Sequence, residues 1–272
     1  MRQKLGQHFL RDKEKLDAVA SAVKIKENDT IIEIGPGHGE LTSFLIDRIT
    51  KFKHARLFLL ERDSALIPGL RAKFASLIKE GRLHIIEGDA LIELPKLTTS
   101  KKISGNAYKL VGNIPYYITG FLFRVIEGLD QKPVLCVFTI QKEVAERVTA
   151  DAGEMNLLAA SVQYFADIEF LMTLPKRLFF PPPKVDSAVI RLVTHENADV
   201  TPPEFYYPLI KTLFKQPRKT ILNNLKTHPS FAKLSGIEQK KLFADLGVPS
   251  TARPQHMHIN AIKQLAFVLY NK

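Results

Sequence analysis

The chain has 272 residues, with 39 Lys and Arg against 28 Asp and Glu, a formal net charge of +11. Its 45% apolar and 25% charged content is that of a globular protein and excludes a low-complexity or disordered chain. The single cysteine, Cys136, excludes an intrachain disulfide and paired-cysteine zinc sites.

The length holds one large domain, or one large and one small. Charge is unevenly placed: residues 203–272 carry a net +8, residues 1–26 a net +4, and the middle is near neutral at −1. Basic ends around a neutral middle point to an enzyme acting on nucleic acid. A solubilising surface is the plainer alternative. No apolar run approaches the ~18–20 residues needed to span a bilayer. Met1 to Leu10 is basic and lacks an apolar signal core, so a cytoplasmic protein without a membrane partner is expected.

In chain order, Leu16, Val19, Ala20 and Val23 predict an amphipathic helix over about Asp12 to Val23. Asp29 to Ile34 predicts a buried strand, running into Gly35-Pro36-Gly37-His38-Gly39 and a helix through Leu41, Phe44, Leu45 and Ile49. Arg56 to Leu60 predicts a second strand ending at Glu61. A helix with Leu66, Leu70, Phe74 and Leu77 on one face follows. Leu83 to Ile86 predicts a third strand reaching Gly88 and Asp89, and Lys109 to Gly112 a fourth. A helix over about Gly120 to Leu129 precedes a fifth strand, Pro133 to Ile140. This alternation implies an α/β fold with a mainly parallel, doubly wound sheet. Ile168 to Leu174 and Ser187 to Val193 lie too close for a crossover helix and predict an antiparallel pair at the sheet edge. Thr194 to Pro203 reads as a linker, and 204–272 as short helices with Lys211, Lys215, Arg218 and Lys219 off their apolar stripes.

Three strand ends carry the chemistry. The spacing Gly35-x-Gly37-x-Gly39 lets backbone approach a ligand, but it is not the dinucleotide fingerprint. Glu61 is placed to accept both ribose hydroxyls of a nucleoside. Asp89 is placed to take the exocyclic amine of an adenine. With no phosphate-binding loop, the implied cofactor is a nucleoside without a phosphate chain, and S-adenosylmethionine fits. At the fourth strand end, Asn113-Ile114-Pro115-Tyr116-Tyr117 sets an amide and two aromatic rings where a planar substrate could be read and stacked. The histidines His38, His54, His84, His195, His228, His256 and His258 show no metal-ligand pattern, and no metal is expected.

Glu33-Ile34-Gly35-Pro36-Gly37-His38-Gly39, Asn113-Ile114-Pro115-Tyr116 and Phe179-Phe180-Pro181-Pro182-Pro183-Lys184-Val185-Asp186-Ser187 resemble motifs of the rRNA adenine dimethyltransferases. Leu5-Gly6-Gln7-His8-Phe9-Leu10 matches their N-terminal motif, and Phe214 to Thr220 extends the likeness into the tail. Within that family the chain is similar to the KsgA/RsmA branch more than to the Erm branch. The resemblance implies a class I, Rossmann-like methyltransferase domain over 1–193, a linker over 194–203 and a small all-helical RNA-binding domain over 204–272. It implies dimethylation of N6 of two adjacent adenosines near the 3′ end of small-subunit rRNA, by a monomer working on an immature ribosomal subunit. Cofactor contacts carried over by motif are His8, Leu10, Gly35, Glu61, Asp89 and Asn113. Asn113 and the Ile114 carbonyl would accept from the N6 amino group, with Tyr116 and Phe179 stacking on the extruded base. His8 and Tyr117 stand where the family often has Asn. Two alternatives are an Erm-like enzyme of the large subunit and an assembly factor that acts mainly by binding RNA.

Overall fold

The computed structural model describes residues 7–100, 103, 107–195 and 201–272. The expectations that fall on Leu5, Gly6 and residues 196–200 lie outside the described residues. The chain clusters into two units. The first holds residues 1–145 and 168–194; the second holds 146–167 and 195–272. The second unit is therefore discontinuous in sequence, with a segment from the middle of the chain joined to the C-terminal helices.

The first unit is built on a sheet of seven strands in the order β4-β3-β2-β5-β6-β9-β7. These are β2 (Thr30–Ile34), β3 (Arg56–Glu61), β4 (Leu83–Glu87), β5 (Tyr108–Asn113), β6 (Leu135–Gln141), β7 (Ala166–Leu174) and β9 (Ser187–Thr194). A separate two-stranded ladder pairs β1 (Phe9–Leu10) with β8 (Phe179–Phe180). β2 to β6 pair in parallel, and β9 runs antiparallel to β6. β9 and β7 lie side by side at the edge, as expected from the short connection between them. β2, β5 and β6 are almost wholly buried, which is why they read as continuous apolar runs rather than alternating ones.

α1 (Lys13–Ala22) precedes the sheet, and helices fill the crossovers: α2 (Glu40–Ile49), α3 (Ile67–Lys73), α4 (Ala75–Lys79), α5 (Ala90–Thr98) and α6 (Thr119–Glu127). Asp12 caps α1, accepting from the Lys15 amide at 2.9 Å. The single helix expected around Leu66 to Leu77 is broken into α3 and α4 at Phe74. The Phe74 ring is committed to the Gly39 turn, where a Cβ on Gly39 would lie 2.7 Å from it.

Two features place the strand ends that matter. The chain passes from β4, at one edge, across β2 to β5, so the order reverses between β2 and β5. In open α/β sheets that switch point is where a crevice opens at the carboxyl ends. The strand ends are also level. Ile34 pairs with Leu60 on one side and with Gly112 on the other, and Asn113 pairs with Thr139. Gly112 permits this closeness, because a Cβ there would lie 2.4 Å from the Ile34 carbonyl oxygen, which is backbone and cannot move aside.

The second unit contains α8 (Leu157–Val162), α9 (Pro203–Leu213), α10 (Ile221–Leu225), α11 (Pro229–Ala232), α12 (Gly236–Asp245) and α13 (Ile259–Tyr270). α7 (Lys142–Val148) bridges residues of both units in sequence. The middle segment is tied in by buried phenols: Tyr206 donates to the Ala160 carbonyl at 2.9 Å and Tyr164 to the Thr201 carbonyl at 2.7 Å. Lys211, Lys215, Arg218 and Lys219 are all exposed. No helix among the described residues is long and apolar enough to cross a membrane.

Candidate active site

An open cleft lies over the carboxyl ends of β2 to β5. His8, Gly35, Glu61, Asp89, Asn113, Ile114 and Tyr116 all line it. Leu10 does not; it is 4% exposed and faces an adjoining crevice with Glu33, Gly35 and Asn113. Phe179 is not among the cleft-lining residues either. It is 4% exposed in the core and pairs with Leu10, while Phe180 is 55% exposed. Adjacent residues of a strand face opposite ways, so one ring is buried and the next is outside.

The glycine turn closes on the acids. Gly35, Gly37 and Gly39 all have positive φ, at 68°, 62° and 80°. At Gly37 the need is double, since a Cβ would also lie 2.6 Å from the Phe9 ring. The turn aims the Gly37 amide at Glu61 Oε2, 3.1 Å away, while the Asp63 amide donates to Oε1 at 2.8 Å. Burial raises the Glu61 pKa above the usual carboxylate value, and the backbone donors of Asp63, Gly37 and Arg62 oppose the rise. Each oxygen still has a lone pair available, because a carboxylate accepts about four hydrogen bonds. Asp89 caps α5 with Oδ1, accepting from the Leu91 amide at 3.0 Å, and its Oδ2 lies 3.3 Å from Arg62 Nη1. Two carboxylates on neighbouring strand ends, beside a glycine turn without side chains, form an acceptor set that fits the ribose hydroxyls and exocyclic amine of S-adenosylmethionine. Among the described residues no three His, Cys, Asp or Glu side chains converge as a metal site.

Glu61→Gln tests this fit. The glutamine amide can accept from only one of the two backbone N–H groups and turns a donor toward the other. The ribose hydroxyls would likewise exchange a charged acceptor for a neutral one, and losing a hydrogen bond to a charged group costs about 1.5–3 kcal/mol, so S-adenosylmethionine affinity should fall about 10- to 160-fold. Calorimetric titration reads this directly, and an unchanged affinity removes Glu61 from the ribose.

Asn113 stands at the centre. Its Nδ2 donates to the His8 carbonyl at 2.6 Å. A carbonyl only accepts, so this hydrogen bond fixes the amide: nitrogen toward β1, Oδ1 left as an acceptor. The His8 ring is fixed as well, with Nδ1 donating to the Pro181 carbonyl at 2.7 Å. One residue thus ties the N-terminal motif to both the Asn113 motif and the proline-rich segment. Ile114 is 1% exposed and donates its amide to the Thr139 carbonyl at 2.9 Å, which anchors the turn beyond β5. Tyr116 shares a 2.8 Å hydrogen bond with Ser187 Oγ. Burial raises its pKa, opposed by that bond, so the phenol stays neutral and its ring is held at the cleft wall.

Glu33, which the sequence motifs assigned no separate role, lines the adjoining crevice. It is 1% exposed and takes the Thr42 hydroxyl on Oε2 at 2.7 Å. Burial pushes its pKa up to about 8, with Glu40 and Glu61 adding to the rise. The signal was present: an acid in the otherwise apolar run Ile31-Ile32-Glu33-Ile34. Gln7 and Phe9, named only as part of the N-terminal motif, and Arg62 also line the cleft.

Known proteins resemble this chain in sequence and in fold. A "Ribosomal RNA small subunit methyltransferase A" from Dehalococcoides mccartyi is 33% identical over 98% of this chain and 88% of its own length. One of the same name from a Synechococcus species is 35% identical over 97% and 94%. Among solved structures, the 23S rRNA methyltransferase ErmE matches with a TM-score of 0.77 at 24% identity, over 97% of this chain and all (100%) of that one. A dimethyladenosine transferase from Plasmodium falciparum matches at 0.75 and 24%, over 94% and 95%. The fold is that of the class I methyltransferases. The family model for ribosomal RNA adenine dimethylase matches residues 1–256, so the chain belongs to that family.

Proposed function

We propose that the protein is an S-adenosylmethionine-dependent adenine-N6,N6-dimethyltransferase acting on small-subunit (16S) rRNA. The observation that carries the reading is the fixed amide of Asn113, its Oδ1 freed for a substrate by the His8 carbonyl, in the cleft that also holds Glu61 and Asp89. S-adenosylmethionine, when bound, supplies an electrophilic sulfonium methyl. Asn113 Oδ1 and the Ile114 carbonyl accept from the N6 amino group and orient its lone pair. Tyr116 stacks on the base from the cleft wall. Phe179 is assigned the second stacking position by the family motif alone. The rate enhancement is then mostly proximity and orientation, with no nucleophilic side chain required.

The finer reading is that two adjacent adenosines near the 3′ end are modified, on an immature subunit, by a cytoplasmic monomer. Residues 204–272 are assigned to RNA binding on their charge. Replacing Lys211, Lys215, Arg218 and Lys219 with Gln should weaken RNA binding. It should also reduce the salt slope by about 0.7–0.9 for every phosphate that is no longer neutralised. Affinities measured from 50 to 200 mM salt check this; an unchanged slope moves the RNA-facing surface elsewhere.

The decisive experiment incubates undermodified small subunits, and large subunits separately, with labelled S-adenosylmethionine and maps the labelled adenosines. Two neighbouring dimethylated adenosines in the small subunit are expected. Label only in the large subunit would overturn the choice of substrate.

A further inference from the structure

Tyr117 and Phe121 are large aromatic residues left 52% and 57% exposed at the start of a helix whose other face is packed. Tyr117 belongs to a 3-10 turn, Tyr116–Ile118, that leads straight into α6. Spacing of four and then three residues sets Tyr117, Phe121 and Arg124 on one helical stripe. Arg124 is exposed. Gly120 lies beside the stripe, and a Cβ there would meet nothing within 4 Å, so the surface next to the rings is open. Tyr117 also lines the cleft, so the stripe continues outward from the cleft wall.

Exposed aromatic rings interleaved with a cation, leading out of a base-binding cleft, match a single-stranded RNA track. Rings stack on bases regardless of sequence, and a guanidinium takes the phosphate. A protein partner would more often be met by a broader apolar patch with a polar rim. We propose that the Tyr117–Phe121–Arg124 stripe is the binding site for the nucleotide flanking the target adenosine, its base stacked on the two rings and its phosphate on Arg124. This inference rests on the reading of the protein as an rRNA adenine methyltransferase. The stripe holds the strand open beside the cleft, so that an extruded adenine reaches Asn113 without restacking on its neighbour.

The test uses the full chain with Phe121→Ala, Phe121→Trp and Phe121→Leu. KM and kcat are measured on undermodified small subunits, and binding is measured on protein-free small-subunit rRNA. Stacking on one ring is worth about 5- to 100-fold in affinity, so Phe121→Ala should raise KM by that factor and weaken rRNA binding similarly. Phe121→Trp should restore both, and Phe121→Leu should not. S-adenosylmethionine affinity of the Phe121 variants should match the wild type. Equal KM for Phe121→Ala and wild type overturns the proposal, as does full rescue by Leu, which would mean apolar packing. A loss confined to whole subunits, with rRNA binding intact, assigns the stripe to a ribosomal protein and also overturns it. A wild-type protein that methylates no rRNA instead sinks the parent reading, and is distinguishable because it appears before any variant is compared.

Discussion

Asn113→Ala should leave rRNA binding intact and lower the rate of methyl transfer by about 10²- to 10³-fold, the usual effect of deleting one preorganised hydrogen-bonding group at a reacting centre. The effect comes from the fixed orientation of the amide, beyond the mere presence of a polar group. The His8 carbonyl, 2.6 Å from Nδ2, accepts from the amide nitrogen and so determines where Oδ1 points. Alanine removes both ends of this arrangement. Asn113→Asp is the sharper companion. It keeps an acceptor but sets a carboxylate oxygen against a carbonyl oxygen, so the group must turn away. Both variants should therefore fail in single-turnover assays with labelled S-adenosylmethionine on undermodified subunits. Full activity of Asn113→Asp would show that any acceptor suffices and that His8 orients nothing. Subunit maturation that survives Asn113→Ala would assign assembly to binding rather than to methylation.

Glu33→Gln should flatten the dependence of stability on pH and make the protein more stable than wild type in alkali. The folded pKa of Glu33 is raised to about 8 by burial, from an ordinary 4.5. The folded state therefore holds this proton more tightly than the unfolded chain. Its contribution is fully present below about pH 4.5, is lost progressively as pH rises toward about 8, and is constant above that. At ~1.4 kcal/mol per pK unit, the loss is on the order of 5 kcal/mol. Glutamine keeps the shape and an oxygen for the Thr42 hydroxyl, and it cannot ionise. Urea unfolding at pH 5 and pH 9 should separate the two proteins mainly at the higher pH. Parallel losses in both would place the titrating group elsewhere.

The long apolar strands were legible because burial on both faces writes a continuous run, as in Leu135 to Ile140. The motif residues at their ends were legible because acids, amides and glycines have no packing reason to follow such runs. Other elements left no comparable trace. α7 and α8 have seven and six residues, too few to show a period, and α5 carries Pro95 in its interior. The grouping of residues 146–167 with the C-terminal helices depends on hydrogen bonds such as Tyr206 to Ala160, which no local pattern encodes. Phe179 and Phe180 are chemically identical neighbours; only the pairing with β1 decides which is buried. The orientation of Asn113 was likewise illegible, since its partner is a backbone carbonyl 105 positions earlier.

The ladder between β1 and β8 joins residues 9 and 180 through two residue pairs. Closing so long a segment is entropically expensive, and two pairs return little on their own. The ladder therefore depends on the rest of the fold for its stability. Since His8, just before β1, carries the carbonyl that orients Asn113, and Pro181 just beyond β8 anchors the His8 ring, alignment of the amide depends on this ladder being closed. A chain in which this ladder is open can possess every motif residue and still hold its amide unaligned, so activity should report the closed ladder.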